Sequence, residues 1–232
     1  LFIGTPCQVG GAINVCKNYS QNLLTVSFVC GGVPSGRLLK EYIEKYSYLK
    51  PDDIRFRSGK EYGIWLYKDS RNIKYQERWH SEYLIGFDEH IIQRESCYDC
   101  HYAKNERIGD ITIGDFWGLT NSSIDKRRLK DGVSLCLITT NAGEKFFNEL
   151  KKCNLIVTEK RTFVEALPEN PRLSSPVIRK KEVDIFRKRY TYMGFDRAIN
   201  SIYGNKYRIY RLKRRIKKWH VLDVIYHGIK RG

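Results

Sequence analysis

The chain has 232 residues, 41% of them hydrophobic and 13% aromatic, enough apolar material for a buried core and therefore not a disordered polypeptide. Its 18 glycines and 6 prolines are dispersed, which excludes collagen-like and linker-like classes, and no apolar run reaches the ~20 residues with which a helix crosses a bilayer. Lys and Arg number 42 against 26 Asp and Glu, a formal net charge of +16, but residues 179–232 carry 17 of these cations against 4 anions, and residues 1–178 carry 25 against 22.

Leu1-Phe2-Ile3-Gly4 is apolar and strand-like, without an initial Met or a charged n-region, so it reads as the interior of a longer protein and not as a signal peptide. A short helix is predicted over 10–18, and 23–30 (LLTVSFVC) has the β-branched make-up of a buried strand. Gly31-Gly32-Val33-Pro34-Ser35 breaks it, with Ser35 as the N-cap of a helix through 46 that presents Leu38, Leu39, Tyr42, Ile43 and Tyr46 on one face. Residues 54–79 alternate as a hairpin or meander turning at Ser58-Gly59-Lys60-Glu61. Next come a helix over 80–96, a cysteine-bearing loop over 97–104, and a strand over 110–115 running into Phe116-Trp117-Gly118. A strand over 133–139, a helix over 142–150 and a last short strand over 155–158 follow. Prolines 168, 171 and 176 mark an extended connector, and beyond it the chain is helical and basic. The expected fold is mixed α/β, a central mixed sheet flanked by helices, with one domain over 1–176 and a basic helical C-terminal extension over 177–232.

Several familiar sites are missing from the sequence. It has no Gly-x-Gly-x-x-Gly after a strand, no Walker A loop, no His-Glu-x-x-His and no Gly-x-Ser-x-Gly, and its five histidines form no spaced pair. Seven cysteines, an odd number at modest density, fit metal binding or burial in a reducing cytoplasm better than a secreted disulfide scaffold. Cys7 and Cys30 stand at strand ends in glycine- or proline-rich text, and Cys97 and Cys100 form a Cys-x-x-Cys loop. Four soft thiolates suit a four-cysteine metal site, strand ends in an α/β sheet share an edge where distant residues meet, and adjacent glycines let backbone N–H groups approach sulfur. Spacing alone leaves an iron–sulfur cluster and a zinc ion both open, and a lone Cys-x-x-Cys also occurs as a redox or structural pair. Cys16, Cys136 and Cys153 read as buried residues.

Three stretches, in this order, resemble the C-terminal domain of the beta subunits of coenzyme F420 (deazaflavin) hydrogenases and dehydrogenases. They are Gly4-Thr5-Pro6-Cys7-Gln8, then Val29-Cys30-Gly31-Gly32-Val33-Pro34-Ser35, then Arg94-Glu95-Ser96-Cys97-Tyr98-Asp99-Cys100 leading to Asp110-Ile111-Thr112-Ile113-Gly114-Asp115-Phe116-Trp117-Gly118. Gly132-Val133-Ser134 and Asn170-Pro171 fall where the family has similar text, so the likeness covers about residues 1–200. The resemblance implies an iron–sulfur flavoprotein oxidoreductase. Cys7, Cys30, Cys97 and Cys100 would be the ligands of one 4Fe–4S cluster, and FAD the second cofactor. Single electrons would come from a ferredoxin-like donor, an upstream domain or a separate protein, and leave through the flavin to a small-molecule substrate. Relatives include chlorophyll-reducing enzymes and bacterial proteins encoded near polysaccharide-assembly genes, which implies polysaccharide-related metabolism.

For FAD the candidates are Gly31, Gly32 and Ser35, before a helix N-terminus that suits a pyrophosphate, and Thr5 and Gln8, beside a cluster ligand. Gly114, Asp115 and Trp117 form a turn where an indole could stack on a ring, and Arg57 and Arg94 could pair with phosphate. The plainer readings are a strand–helix turn, a core aromatic and structurally paired arginines. No acid–base catalyst stands out. In the extension, Ile209, Leu212, Ile216 and Trp219 make one helical stripe among Lys and Arg. That pattern fits a helix on an anionic membrane surface, on a partner, or packed on its own domain. The location expected is cytoplasmic, extending to the inner face of the membrane; nucleic acid ranks lower, because no nucleic-acid motif accompanies the charge. The competing reading is a binding protein with a structural four-cysteine zinc site and a basic tail that contacts nucleic acid or anionic membrane.

Overall fold

The computed structural model describes residues 1–58, 61–120, 122–123, 129 and 132–229, with side chains at 19–21 and 217–229 outside the description. Gly59 and Lys60 of the predicted turn, and the Trp219 side chain of the predicted stripe, therefore lie outside the described residues. In chain order the elements begin with β1 (Phe2–Gly4), α1 (Pro6–Val15), β2 (Thr25–Phe28), α2 (Gly36–Glu44), β3 (Asp53–Ser58), β4 (Glu61–Lys68), β5 (Arg71–Glu77) and α3 (Glu82–Asp88). They continue with α4 (Glu95–Tyr98), β6 (Ile111–Asp115), β7 (Ser134–Ile138), α5 (Asn141–Lys152), α6 (Phe163–Ala166), α7 (Glu182–Met193) and α8 (Phe195–Ile229).

The chain forms two compact units, Leu1–Val33 with Arg94–Ile178, and Pro34–Gln93 with Arg179–Gly232. Residues 34–93 fold with residues 179–232 in the second of these units. In that second unit Tyr42, Tyr83, Phe186 and Phe195 meet edge-on or tilted around one aromatic core, which explains why segments so distant in sequence fold together.

The first unit carries a mixed sheet of order β1-β2-β6-β7. β1, β2 and β6 are parallel and β7 is antiparallel to β6, so the fold is the mixed α/β type expected. Thr25, Val26 and Ser27 of the central strand are buried, and the Ser27 and Thr112 hydroxyls satisfy each other at 2.7 Å. Asp110 fastens the far ends of the strands, accepting from Thr25 N (2.8 Å), Thr25 Oγ1 (2.7 Å) and Thr140 Oγ1 (2.5 Å). Leu135, Ala166 and Leu173 centre a small core with Val29, Phe116 and Phe163 around it. The strand expected over 155–158 does not form. The sheet ends at β7, and Leu155 and Val157 are exposed.

The second unit holds the antiparallel meander β3-β4-β5, where Trp65 and Tyr75 pair across strands with ring centroids 4.5 Å apart. Ile64 and Leu66 of β4 are buried against a core that includes Leu84, Ile91, Val183 and Ile199. Two helical expectations shift. The helix placed at 10–18 starts at Pro6, because Thr5 caps it and Pro suits a first helical position. The helix placed at 80–96 stops at Asp88, where His90 takes φ 57° and the His90 and Ile91 N–H groups return to Phe87 O and Gly86 O, a left-handed helix stop.

Candidate functional site

Parallel pairing carries β1 and β2 to the same edge of the sheet, with Gly4 opposite Ser27. Residues that follow the two strands therefore meet beyond their C-terminal ends. Cys7 lies there in the first turn of α1, and Cys30 lies two residues past β2. Cys97 sits in the single turn of α4, with Cys100 just after it. The peptide following Cys30 ties the two regions together: Val33 O accepts from Arg94 N (3.1 Å) and Val33 N donates to the Cys97 sulfur (3.4 Å). Tyr102, two residues past Cys100, rests on α1 at Gly10, where a β-carbon would come within 2.5 Å of the tyrosine oxygen and 3.0 Å of Cζ.

The electrostatics show the same convergence. Burial pushes the Cys30 thiol above its ordinary pKa; a hydrogen bond from the Gly32 backbone opposes this, and the nearby Cys97, Cys100 and Cys7 thiols raise it further. The remaining cysteines stand apart from this group. Cys136, on β7, is raised by burial alone. Against the expectation of burial, Cys153 is exposed and Cys16 and Cys136 are half-buried. Cys153 caps the end of α5, where the last turn faces solvent.

Arg107 belongs to the site although no sequence pattern marks it. Its Nη1 donates to Tyr102 O (3.1 Å) and Lys104 O (3.0 Å), and its Nη2 to Phe28 O (3.4 Å). Burial lowers the guanidinium pKa, and the neighbouring Cys100 and Cys30 act in the opposite sense. The Nε atom is buried without a hydrogen-bond partner among the described residues, a state that costs about 1–3 kcal/mol unless an acceptor meets it. Four soft thiols, two backbone N–H groups on sulfur and an orphaned cationic donor fit a thiolate-bound iron–sulfur group, whose negative charge would engage that donor. Among the described residues, no three His, Cys, Asp or Glu side chains converge tightly enough to hold a single metal ion.

Of the ten residues expected to hold FAD, eight lie in the first unit and two in the second. Thr5 and Gln8 serve the start of α1, Gln8 Oε1 accepting from Thr5 N (2.9 Å) and Thr5 Oγ1 (3.0 Å), with Thr5 Oγ1 3.2 Å from the Cys7 sulfur. Gly31 and Gly32 follow Cys30, Gly32 with φ 94°. Gly114 gives room to Val29, whose Cγ2 would lie 2.8 Å from a β-carbon there. Asp115 ends β6, and Trp117 is 57% exposed, not a core aromatic. Arg94 caps α4 and is exposed. Ser35 and Arg57 belong to the second unit, where Ser35 accepts from Arg37 N (3.3 Å) at the start of α2 and Arg57 lies on β3. A cavity of about 190 Å³ in the first unit is bordered by Phe116, Leu135, Cys136, Leu137, Phe147 and Arg161, and none of the ten lines it.

A mixed sheet with Cys7 and Cys30 just past the ends of its parallel strands defines a mixed α/β domain. Residues 1–162 match the family described as the C terminus of the beta subunit of coenzyme F420 hydrogenase/dehydrogenase. The chain belongs to this family of oxidoreductase subunits. It is also similar to a chain in the xenon-derivatised structure of the F420-reducing NiFe hydrogenase complex from Methanosarcina barkeri, with 16% identity and a TM-score of 0.40. That alignment covers 82% of this chain and 61% of the other, so the present chain spans less than two thirds of the length of that one. Among curated proteins none matches.

Proposed function

We propose that this chain is the electron-transferring part of an iron–sulfur oxidoreductase, with Cys7, Cys30, Cys97 and Cys100 holding one 4Fe–4S cluster. The reading rests on one observation above all: the Cys7, Cys97 and Cys100 thiols act on Cys30, beside a half-buried Arg107 whose Nε has no partner among the described residues. When bound, such a cluster supplies one-electron transfer. The protein's own groups would do the rest. Backbone N–H groups of Gly32 and Val33 are directed at the Cys30 and Cys97 sulfurs, where they would hydrogen-bond ligand sulfur. Cys7 lies in the first turn of α1, where free backbone N–H groups favour negative charge. Arg107 adds a fixed positive charge on the side of Cys30 and Cys100.

A zinc site is the weaker reading of the same thiols. One zinc draws four sulfurs to about 3.8 Å of one another, whereas a cluster places its own irons and sulfides between its ligands. The partners that go with the redox reading are a ferredoxin-like donor and a small-molecule substrate, in polysaccharide-related metabolism by the family resemblance. FAD as the second cofactor also rests on that resemblance; the residues expected to bind it are divided between the two units and do not line the first unit's cavity.

Anaerobic purification of the full-length protein, followed by assay of iron, acid-labile sulfide, zinc and flavin, tests the proposal. Four iron and four sulfide per cluster are expected for these four ligands. Zinc at one equivalent with no iron would overturn the reading. In the same assay Cys97→Ser loses the cluster and Cys136→Ser keeps it; equal behaviour of the two variants would refute the ligand assignment.

A further inference from the structure

Among its described side chains the longest helix has two unlike faces, one of which packs inside the second unit. Along α8, Phe195, Ala198, Ile199, Tyr203 and Tyr207 are buried in the second unit. Farther on, the inward side continues as Tyr207 and Tyr210 against Trp79, at ring-centroid distances of 6.1 and 4.6 Å, with the Arg214 guanidinium 6.0 Å from the Trp79 ring. At 3.6 residues per turn, Ile209, Leu212 and Ile216 fall on the opposite side. They are 55%, 59% and 51% exposed. The apolar stripe is thus not the seam that holds the helix to its domain; tyrosines do that, together with the buried Glu89, which accepts from Tyr207 Oη at 2.8 Å.

The surroundings of the stripe are cationic. Arg208, Arg211 and Arg215 follow one flank and Lys213 the other, and no Asp or Glu occurs from residue 197 to 222. A protein groove that receives a helix usually covers a broad apolar face. Here the stripe is one residue wide and bordered by long cationic side chains, whose stems can lie along apolar surface while their heads reach outward. That is the make-up of a helix that lies in a bilayer interface, its aliphatic groups among the acyl chains and its cations at anionic headgroups. Among the described residues no helix is long and apolar enough to cross a membrane, so such contact would be along the surface.

We propose that α8 docks this protein on an anionic lipid bilayer through Ile209, Leu212 and Ile216, with Arg208, Lys213 and Arg215 at the headgroups. The proposal stands independently of the cofactor reading. Its test is co-sedimentation of the full chain with vesicles of phosphatidylcholine alone, and with vesicles of phosphatidylcholine mixed with phosphatidylglycerol, at low and high salt. The wild type is expected to sediment with the mixed vesicles only, and less at high salt. The triple variant Ile209→Ser, Leu212→Ser, Ile216→Ser binds at least tenfold more weakly, and so does the triple variant Arg208→Gln, Lys213→Gln, Arg215→Gln. All six side chains are exposed, so both variants are expected to keep wild-type thermal unfolding. Wild-type protein that ignores the mixed vesicles would overturn the proposal, as would undiminished binding by the serine variant. Binding to duplex DNA without binding to vesicles would also overturn it and assign the helix to nucleic acid.

Discussion

Arg107 is held by three backbone carbonyls from both sides of the cysteine site, Phe28 before Cys30 and Tyr102 and Lys104 after Cys100. A cation fixed in this way stabilises the more negative, reduced form of a bound cluster. Arg107→Met is therefore expected to lower the midpoint potential of the proposed cluster by about 60 mV or more, tenfold in a one-electron equilibrium. Potentiometric titration followed by electron paramagnetic resonance measures this, with iron content as the control. An unchanged potential at full iron content would remove Arg107 from the redox role. Cys7 and Cys30 stand out in the sequence by the glycine- and proline-rich text around them, and Cys97 and Cys100 by their spacing. Arg107 could not, since one arginine among 42 cations carries no local mark and its importance comes from burial.

Helix α1 brings Cys7 to the site and also forms the surface on which Tyr102 rests. Gly10 allows that approach, because a β-carbon there would strike the tyrosine ring. Gly10→Ala is expected to displace Tyr102 and with it the Cys97–Cys100 segment, destabilising the fold by about 1–3 kcal/mol and lowering iron content at saturating reconstitution. Denaturant unfolding and iron assay check the two effects; a variant equal to wild type in both would show that the contact is dispensable. The helix read from Gly10 begins four residues earlier, because the Thr5 cap and Pro6 set its start. At α8 the sequence showed one apolar stripe, and periodicity could not tell a packing seam from an exposed one. The tyrosines at 203, 207 and 210, polar enough to pass for surface residues, are the ones that pack.

Across the whole molecule the charge follows the two units. The cysteine-bearing unit has 14 Lys+Arg against 12 Asp+Glu, and the other has 28 against 14. Each unit also keeps carboxylates depressed on folding, Glu89 and Asp110 among them, that contribute to its response to acid. For Glu89, 8% exposed, burial works to raise the pKa, but hydrogen bonds from Lys206, Tyr207 and Lys180 outweigh it and hold the carboxyl below its ordinary 4.5. For Asp110 burial is likewise outweighed, by Thr140 and Thr25. A carboxyl depressed on folding contributes stability above its unfolded value, and that contribution is lost as pH falls through the folded value. Thermal stability is therefore expected to decline as the pH drops below 4.5, and Glu89→Gln should flatten that decline in the second unit. Glu89→Ala should cost about 2–3 kcal/mol near neutral pH, the scale of hydrogen bonds to a charged group. An acid limb of Glu89→Gln identical to wild type would place the effect elsewhere.

By itself the sequence determined the family, the mixed α/β class, the cysteines that stand in special backbone settings and the basic character of the C-terminal quarter. All of these are carried by short, contiguous text or by composition. The tertiary structure decided what depends on contacts between distant segments. Parallel pairing of β1 with β2 gathers Cys7 and Cys30 at one edge. Residues 34–93 join 179–232 because their aromatic side chains fill a shared core. Which face of α8 is buried depends on Trp79, more than a hundred residues earlier in the chain, and no local pattern could have supplied it, because burial belongs to the partner surface as much as to the helix.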